Sequence, residues 1–153
     1  MCLIAVSCRL KANTDLKVYK LLNRDSYLGQ GCYHTPYIGY IVRFIINTVE
    51  MNSNLEVPTK NGILYVGIHA YTELPYYTTN KSSKFFYAVI PKGSELYFGC
   101  NGEIASDRLI IFESKKAYLE YKKTHKVVSA EFITSNFSKE LFNKRNIIPS
   151  ISL

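Results

Sequence analysis

The sequence predicts an α+β protein, in which mostly antiparallel strands form a meander and two C-terminal helices pack on the sheet. The first observation is that residues 62–112 contain short apolar, aromatic and β-branched runs separated by Gly, Pro, Asn and Ser. Such runs are typical of strands joined by turns. The second observation is that a helical period begins after Ser114. Since 153 residues are enough to bury a core, we expect residues 1–153 to form a single domain.

The first part of the chain predicts three strands. Residues 3–10 and 16–22 are apolar segments, and the turn-forming residues 11–15 separate them. Residues 23–35 contain two glycines and few aliphatic side chains, which predicts a loop. Residues 37–49 place apolar side chains on both faces of a strand, so we expect one long strand in the centre of the sheet.

In the middle of the chain a strand lies between two polar loops. The predicted loops, residues 50–61 and 73–83, each contain a proline. Residues 63–72 alternate with the period of a strand, and one of the two faces is the better core face. His69 lies on the other face, among tyrosines. The core face consists of Leu64, Val66, Ile68, Ala70 and Thr72.

Three more strands and two tight turns follow. Residues 91–94 read Pro-Lys-Gly-Ser, in which Pro sets φ and Gly is available for a positive φ. Residues 99–102 contain the dipeptide Asn-Gly, which is a strong hairpin signal. The predicted strands are residues 84–90, 95–98 and 108–112, and residues 104–106 form a short link.

The C-terminal part predicts two helices around one strand. Ser114 is the expected N-cap of a helix that ends near Thr124 and places Ala117, Tyr118 and Tyr121 opposite its lysines. Residues 127–134 predict a strand. A second helix is expected to begin at Ser138, with Phe137 and Phe142 as a hydrophobic staple, and to end after Arg145.

Charge and cysteine usage limit the possible functions. The net charge is +7, and the basic excess is concentrated in residues 114–145, which would attract nucleic acid or an acidic protein. The four cysteines form no C-x-x-C pair, so we expect reduced thiols rather than disulfides or a zinc site. No run is long enough to span a membrane. We therefore expect a cytoplasmic protein without a metal and without a membrane partner.

The sequence contains few of the motifs that mark enzymes. It has no Ser-His-Asp order, nucleophile elbow, paired-carboxylate motif or H-x-x-x-H pattern. No glycine-rich loop precedes a helix, so a phosphate site at a helix N-terminus is not indicated. We therefore expect no cofactor, and a protein that is not an enzyme.

Three segments resemble a pattern that recurs in small uncharacterised proteins of bacteriophages and mobile elements. They are residues 67–71 (Gly-Ile-His-Ala-Tyr), 89–94 (Val-Ile-Pro-Lys-Gly-Ser) and 101–106 (Asn-Gly-Glu-Ile-Ala-Ser). The resemblance implies no activity. It implies an accessory protein that acts by binding, against a host defence system or within a phage particle, in the host cytoplasm.

The same region is similar to the ADP-ribosyltransferase and RNA 2′-phosphotransferase group. Those proteins carry a His or Arg on an early strand, a His or Ser-Thr-Ser element on a middle strand, and a late acidic or Asn-Gly element. The resemblance implies His69 at the middle position, Glu103 near the late one, and His34 or Arg24 at the first. If the protein is such an enzyme, it uses NAD or an RNA phosphate, and His69, Glu103 and Arg43 are the expected catalytic residues.

Three functions fit these observations. The first is a non-catalytic binding protein whose lysines steer the encounter with an acidic protein or nucleoprotein partner and whose tyrosines anchor it. The second is a basic nucleic-acid-binding module, with tyrosines stacked on bases, and the third is the enzyme. The tyrosines have an alternative role, which is to pack the helix on the sheet. The expected partner-binding residues are Lys115, Lys116, Tyr118, Tyr121, Lys122 and Lys123.

Overall fold

The protein is mainly β in the residues that a computed structural model describes, which are 3–24, 32–36, 41–74, 83–130 and the backbone of 142–144. This part of the chain forms fourteen strands and one α-helix, α1 (Lys115–Thr124). It contains no helix with the length and apolar character needed to cross a membrane. The strands are β1 (Leu3–Ile4), β2 (Leu10–Ala12), β3 (Asp15–Arg24), β4 (Cys32–His34), β5 (Ile41–Arg43), β6 (Thr48–Asn52), β7 (Ile63–Leu64), β8 (Ile68–Tyr71), β9 (Ser83–Ile90), β10 (Glu95–Phe98), β11 (Glu103–Ser106), β12 (Arg108–Phe112), β13 (Val127–Ser129) and β14 (Phe142–Lys144).

Twelve of the described strands form one sheet. Nine of them follow the order β14-β2-β10-β11-β8-β3-β9-β12-β6, while β13 and β4 pair with other parts of β3, and β5 pairs with β4. The pairs are antiparallel, except that β13 runs parallel to β3. The longest pairing joins β3 to β9, from Leu16 opposite Ile90 to Asn23 opposite Ser83. These two strands form the centre of the sheet.

One face of the sheet supplies the main hydrophobic core. Alternate residues of β3 are buried, as are their neighbours on β8, β9 and β11, because side chains on a strand alternate between the two faces. The core continues through β2, β10 and β12. Its largest fully buried side chains include Leu10, Leu16, Leu22, Ile90, Leu96, Ile104, Leu109 and Ile111.

Two smaller layers cover the opposite face. The pair β1–β7 packs its leucines against Tyr97 and Ala105, which form a second buried cluster. The helix α1 packs on β9 and β12, where Tyr118 stacks on Tyr87 with ring centroids 5.1 Å apart. The Tyr121 hydroxyl donates to Asp15 Oδ2 at 2.8 Å, so α1 is tied to β3 as well.

The expected fold class is wrong in its helical part. The described residues contain a mostly antiparallel sheet with one short helix towards the C-terminus, and this part of the chain is mainly β rather than α+β with two helices. Residues 142–144, predicted as part of the second helix, form β14 and pair with β2. The backbone hydrogen bonds of β2 outweigh a short local helical pattern. Phe137 and Ser138 lie outside the described residues.

The prediction of one long central strand at residues 37–49 is also wrong. Residues 37–40 lie outside the described part, and the remainder divides into β5 and the start of β6, with a turn between them. Ile45 and Ile46 in that turn are 86% and 70% exposed, so an apolar run on both faces does not mark a buried strand here. The predicted strand at residues 3–10 is likewise divided, into β1 and the start of β2.

Several other predictions are confirmed. The core face of residues 63–72 is correct at four of its five positions, since Leu64, Ile68, Ala70 and Thr72 are buried. Val66 is half-buried, next to Gly67 at φ 152°, where the strand is interrupted. Strands are found at β3, β9, β10 and β12, and at residues 127–129. The prediction of a short link at residues 104–106 is wrong, since these residues belong to the strand β11, which pairs with both β8 and β10.

The first helix has the predicted cap, which gives a testable prediction. The Ser114 hydroxyl accepts a hydrogen bond from Ala117 N–H at 3.2 Å. We expect Ser114→Ala to lower the free energy of unfolding by about 1 kcal/mol, because one N–H of the first turn loses its acceptor. Urea denaturation measures the difference. Ser114→Asp keeps an acceptor and is expected to match the wild type, whereas equal stability of Ser114→Ala and the wild type would contradict the role of the cap.

Candidate functional site

A cavity of about 440 Å³ lies beside the central strand β3. One edge of β3 is paired with β9 along nearly its whole length. The other edge meets β13 at its start, β8 only at Tyr19, and β4 from Asn23 onwards. Between Tyr19 and Asn23 the strands β3 and β8 therefore diverge, and the cavity opens at this divergence.

Both His69 and Glu103 line this cavity, so the structure brings together two of the three residues expected for an enzyme. They lie on neighbouring strands, since His69 is opposite Ala105 and Tyr71 is opposite Glu103 in the β8–β11 pair. The walls also contain residues from four other parts of the described chain, and several of these residues are apolar. Among the described residues, the lining consists of Lys20, Leu21, Thr35, Pro36, Ile41, Met51, Asn52, Ser53, Tyr65, Val66, Gly67, Ile68, His69, Ala70, Tyr71 and Glu103.

Lys20 is the most unusual residue of the lining. It occupies the core-facing register of β3, between Val18 and Leu22, and only 6% of its surface is exposed. Its Nζ donates to the His69 carbonyl oxygen at 2.6 Å, and so the ammonium takes the place of a backbone donor where β8 has left β3. Burial lowers the pKa of Lys20 to about 8, because an ammonium is poorly solvated in the cavity wall.

Burial affects the pKa values of two other ionisable groups of the cavity, His69 and Glu103, in opposite directions. Burial and the neighbouring Lys20 charge lower the pKa of His69 to about 4, so its imidazole is neutral at physiological pH. Burial raises the pKa of Glu103 above its ordinary value. No ion pair joins Lys20 to Glu103 within the described residues. The cavity can therefore offer a cation and a neutral imidazole to a ligand.

Arg43, the third residue expected for an enzyme, does not join this group. Its Nε contacts the sulfur of Cys32 at 3.2 Å, and it is absent from the cavity lining. Cys32 is buried as a free thiol. In the described part of the chain, no group of three His, Cys, Asp or Glu residues is placed to hold a metal ion.

The residues expected to bind a partner divide between two faces of α1. Lys115, Lys116, Lys122 and Lys123 are exposed, and one of them, Lys123, pairs with Glu120 at 3.1 Å. The two tyrosines face the sheet. Tyr118 is buried against Tyr87, and Tyr121 is half-buried and bonded to Asp15. The tyrosines thus pack the helix, which was the alternative reading of the sequence, and the lysines form the outer surface.

Two residues of these sites were not predicted from the sequence. The sequence analysis places Lys20 in a predicted strand but assigns it no role. Its alternation with Leu16, Val18 and Leu22 puts its side chain on the same face as theirs, and this was the available signal that it faces the core. Leu119 was not singled out either, and it is 45% exposed on α1. Its helical spacing of three or four residues from the lysines on either side was the available signal.

The comparisons with known proteins identify no relative of this chain. No family model, no curated protein and no solved structure matches it. The resemblances to phage proteins and to the ADP-ribosyltransferase group therefore stay hypotheses that depend on short segments. They are residues 67–71, 89–94 and 101–106.

The low pKa of His69 predicts a specific acid sensitivity. Between about pH 6.5 and pH 4 the unfolded chain takes up a proton on His69 that the folded protein does not, so stability falls as the pH falls through this range. We expect the free energy of unfolding, measured by urea denaturation, to fall less between pH 6.5 and pH 4 for His69→Gln than for the wild type. Each profile is expressed relative to the stability of the same protein at pH 7, so that any change in stability caused by the substitution itself is removed. Identical pH profiles for the wild type and His69→Gln would contradict this prediction.

Proposed function

We propose that this protein is a non-catalytic binding protein that holds an acidic protein partner on the outer face of α1. The observation that carries the proposal is an exposed leucine, Leu119, at the centre of four exposed lysines. An apolar centre with a charged rim is the usual composition of a protein–protein contact surface.

The helical geometry produces this arrangement. Residues three, four or seven apart on a helix lie on one side. Leu119 is four residues after Lys115 and three after Lys116, and it precedes Lys122 by three and Lys123 by four. All five side chains therefore share one face. We call this face the lysine face of α1.

The lysine face is presented on a firmly attached element. The Ser114 cap fixes the first turn, the stacking of Tyr118 on Tyr87 fixes the middle, and the hydrogen bond from Tyr121 to Asp15 fixes the last turn to β3. A partner that binds here does not have to order the helix, which reduces the entropic cost of association.

Charge supports an acidic partner. The net charge of the chain is +7, and Lys123 is the one lysine of this face with a carboxylate contact in the described structure. Exposed lysines speed the encounter with an acidic surface and disfavour basic partners. An accessory role in a phage or mobile element, in the host cytoplasm, is part of this proposal and is supported by the resemblance of the three short segments.

The enzyme alternative has one observation in its favour, which is that His69 and Glu103 line the same cavity. Its test is whether NAD binds to the protein or is consumed at high protein concentration. Consumption that His69→Ala abolishes would favour the enzyme. If NAD neither binds nor is consumed, the alternative is to be dropped.

Charge reversal tests the lysine face. We expect Lys115→Glu/Lys116→Glu to weaken capture of protein partners from the cells in which the protein acts by about tenfold at low salt, because attraction becomes repulsion. Glutamate is favourable in the first turn of a helix, so α1 is expected to remain folded. Lys60→Glu/Lys92→Glu makes the same change of charge at exposed lysines elsewhere and is expected to leave capture unchanged. Unchanged capture by the α1 variant would contradict the proposal.

Replacement of Leu119 distinguishes a protein partner from nucleic acid. Leu119→Ser keeps every charge and removes the apolar centre, so we expect capture of protein to fall by about tenfold. Binding to single- or double-stranded nucleic acid depends on phosphate contacts and falls steeply with salt. If such binding requires the lysines and is indifferent to Leu119→Ser, the nucleic-acid-binding module is the correct function and the protein-partner proposal fails.

A further inference from the structure

We propose that the cavity beside β3 binds a small organic anion, whose acidic group contacts Lys20 and whose apolar or aromatic body lies against the cavity walls. This site is separate from the lysine face of α1, and the inference does not depend on that face. No residue of α1 lines the cavity.

The first argument is that Lys20 is a buried cation with no anionic partner among the described residues. Lysines are almost never fully buried unless they are paired, since the loss of solvation is costly. Only 6% of the surface of Lys20 is exposed. An ammonium has three donor hydrogens. The described structure supplies one acceptor within hydrogen-bonding distance, the His69 carbonyl oxygen, and no carboxylate within ion-pairing distance.

The second argument is the size and composition of the cavity. Its volume of about 440 Å³ lies within the range of roughly 300–1,000 Å³ that is typical of small-molecule sites. Such sites combine apolar walls with a few polar groups that orient the ligand. Here Leu21, Ile41, Met51 and Ile68 contribute apolar surface, and Tyr65 is exposed beside them. A bare inorganic ion would not use these walls, so a ligand with an apolar body fits the cavity better.

The third argument concerns the other charged groups that face the cavity. His69, on β8, is neutral at physiological pH, so it does not add to the charge of Lys20 and can donate or accept a hydrogen bond. Glu103, on β11, lies opposite Tyr71, two residues further along β8 than His69. Its carboxylate repels a second negative charge. The cavity is therefore expected to prefer monoanions to dianions.

Proton binding by Lys20 makes the affinity dependent on pH. A pKa of about 8 leaves roughly nine-tenths of the Lys20 side chains charged at pH 7. An anion binds only the charged form well, and so its affinity falls as the pH rises above 8. The expected loss is roughly tenfold at pH 9 relative to pH 7.

A pair of fluorescent probes tests the site. Anilinonaphthalene sulfonate is a monoanion with an aromatic body, and N-phenylnaphthylamine is its neutral counterpart without the sulfonate. We expect the full-length wild type to bind the anionic probe at least tenfold more tightly than Lys20→Met does, because this substitution removes the charge and keeps an unbranched apolar chain. The neutral probe is expected to bind both proteins within about twofold.

Three variants make the test specific. Lys17→Met changes a half-buried lysine of the same strand outside the cavity lining and is expected to bind both probes as the wild type does. Lys20→Arg keeps a charge that does not titrate, so the anionic probe is expected to bind without a loss at pH 9. Glu103→Gln removes the repelling charge and is expected to tighten binding of the anionic probe.

Several outcomes would overturn the proposal. The first is that Lys20→Met and the wild type bind the anionic probe with equal affinity. The second is that Lys20→Met loses affinity for both probes by the same factor. The third is that the affinity of the wild type for the anionic probe does not change between pH 7 and pH 9. If Lys17→Met lowers the affinity for the anionic probe as much as Lys20→Met does, the proposal is also contradicted, because binding would then depend on the total charge of the protein and not on the cavity.

Discussion

The pairing of β3 with β9 is the interaction on which the rest of this structure depends. On one face of this pair, alternate residues such as Val18 and Ala88 enter the main core. On the other face, Tyr87 of β9 supports α1, and so the lysine face exists because these two strands are paired. The free edge of β3, where β8 diverges, forms one wall of the cavity. Both candidate sites are therefore positioned by one antiparallel pair.

The two sites differ in what they cost the folded protein. The lysines of α1 remain in water, and their charges change stability little. Lys20 is buried, and its lowered pKa corresponds to a destabilisation on the order of 3 kcal/mol at neutral pH. Part of this cost is offset by the hydrogen bond to the His69 carbonyl oxygen, at a point where β8 has diverged from β3. A destabilising charge that a fold retains in a cavity is a common property of binding sites.

Local patterns predicted the elements whose structure depends on local forces. The Ser114 cap and the helical period predict the boundaries of α1. The dipeptide Asn101-Gly102 predicts the hairpin turn, because both residues tolerate the positive φ that the turn requires, and their φ values are 58° and 74°. The prediction for residues 37–49 is wrong because an apolar run has no preference of its own between a buried strand and an exposed turn. The prediction for residues 142–144 is wrong because a cap and a staple are weak local signals beside pairing with another strand. Distant partners, such as β2 for β14, decide between these structures.

The sequence by itself determined the β-rich class, the cap of α1, and the spacing that places four lysines around Leu119. Only the tertiary structure decided that Tyr118 and Tyr121 pack between α1 and the sheet. It also decided that Lys20, His69 and Glu103 line one cavity, while Arg43 lies outside it. The reason is that helical and strand periods specify which side chains share a face. Whether that face meets a core, a cavity or water depends on strand pairings between residues far apart in the chain, as in β3–β8 and β8–β11.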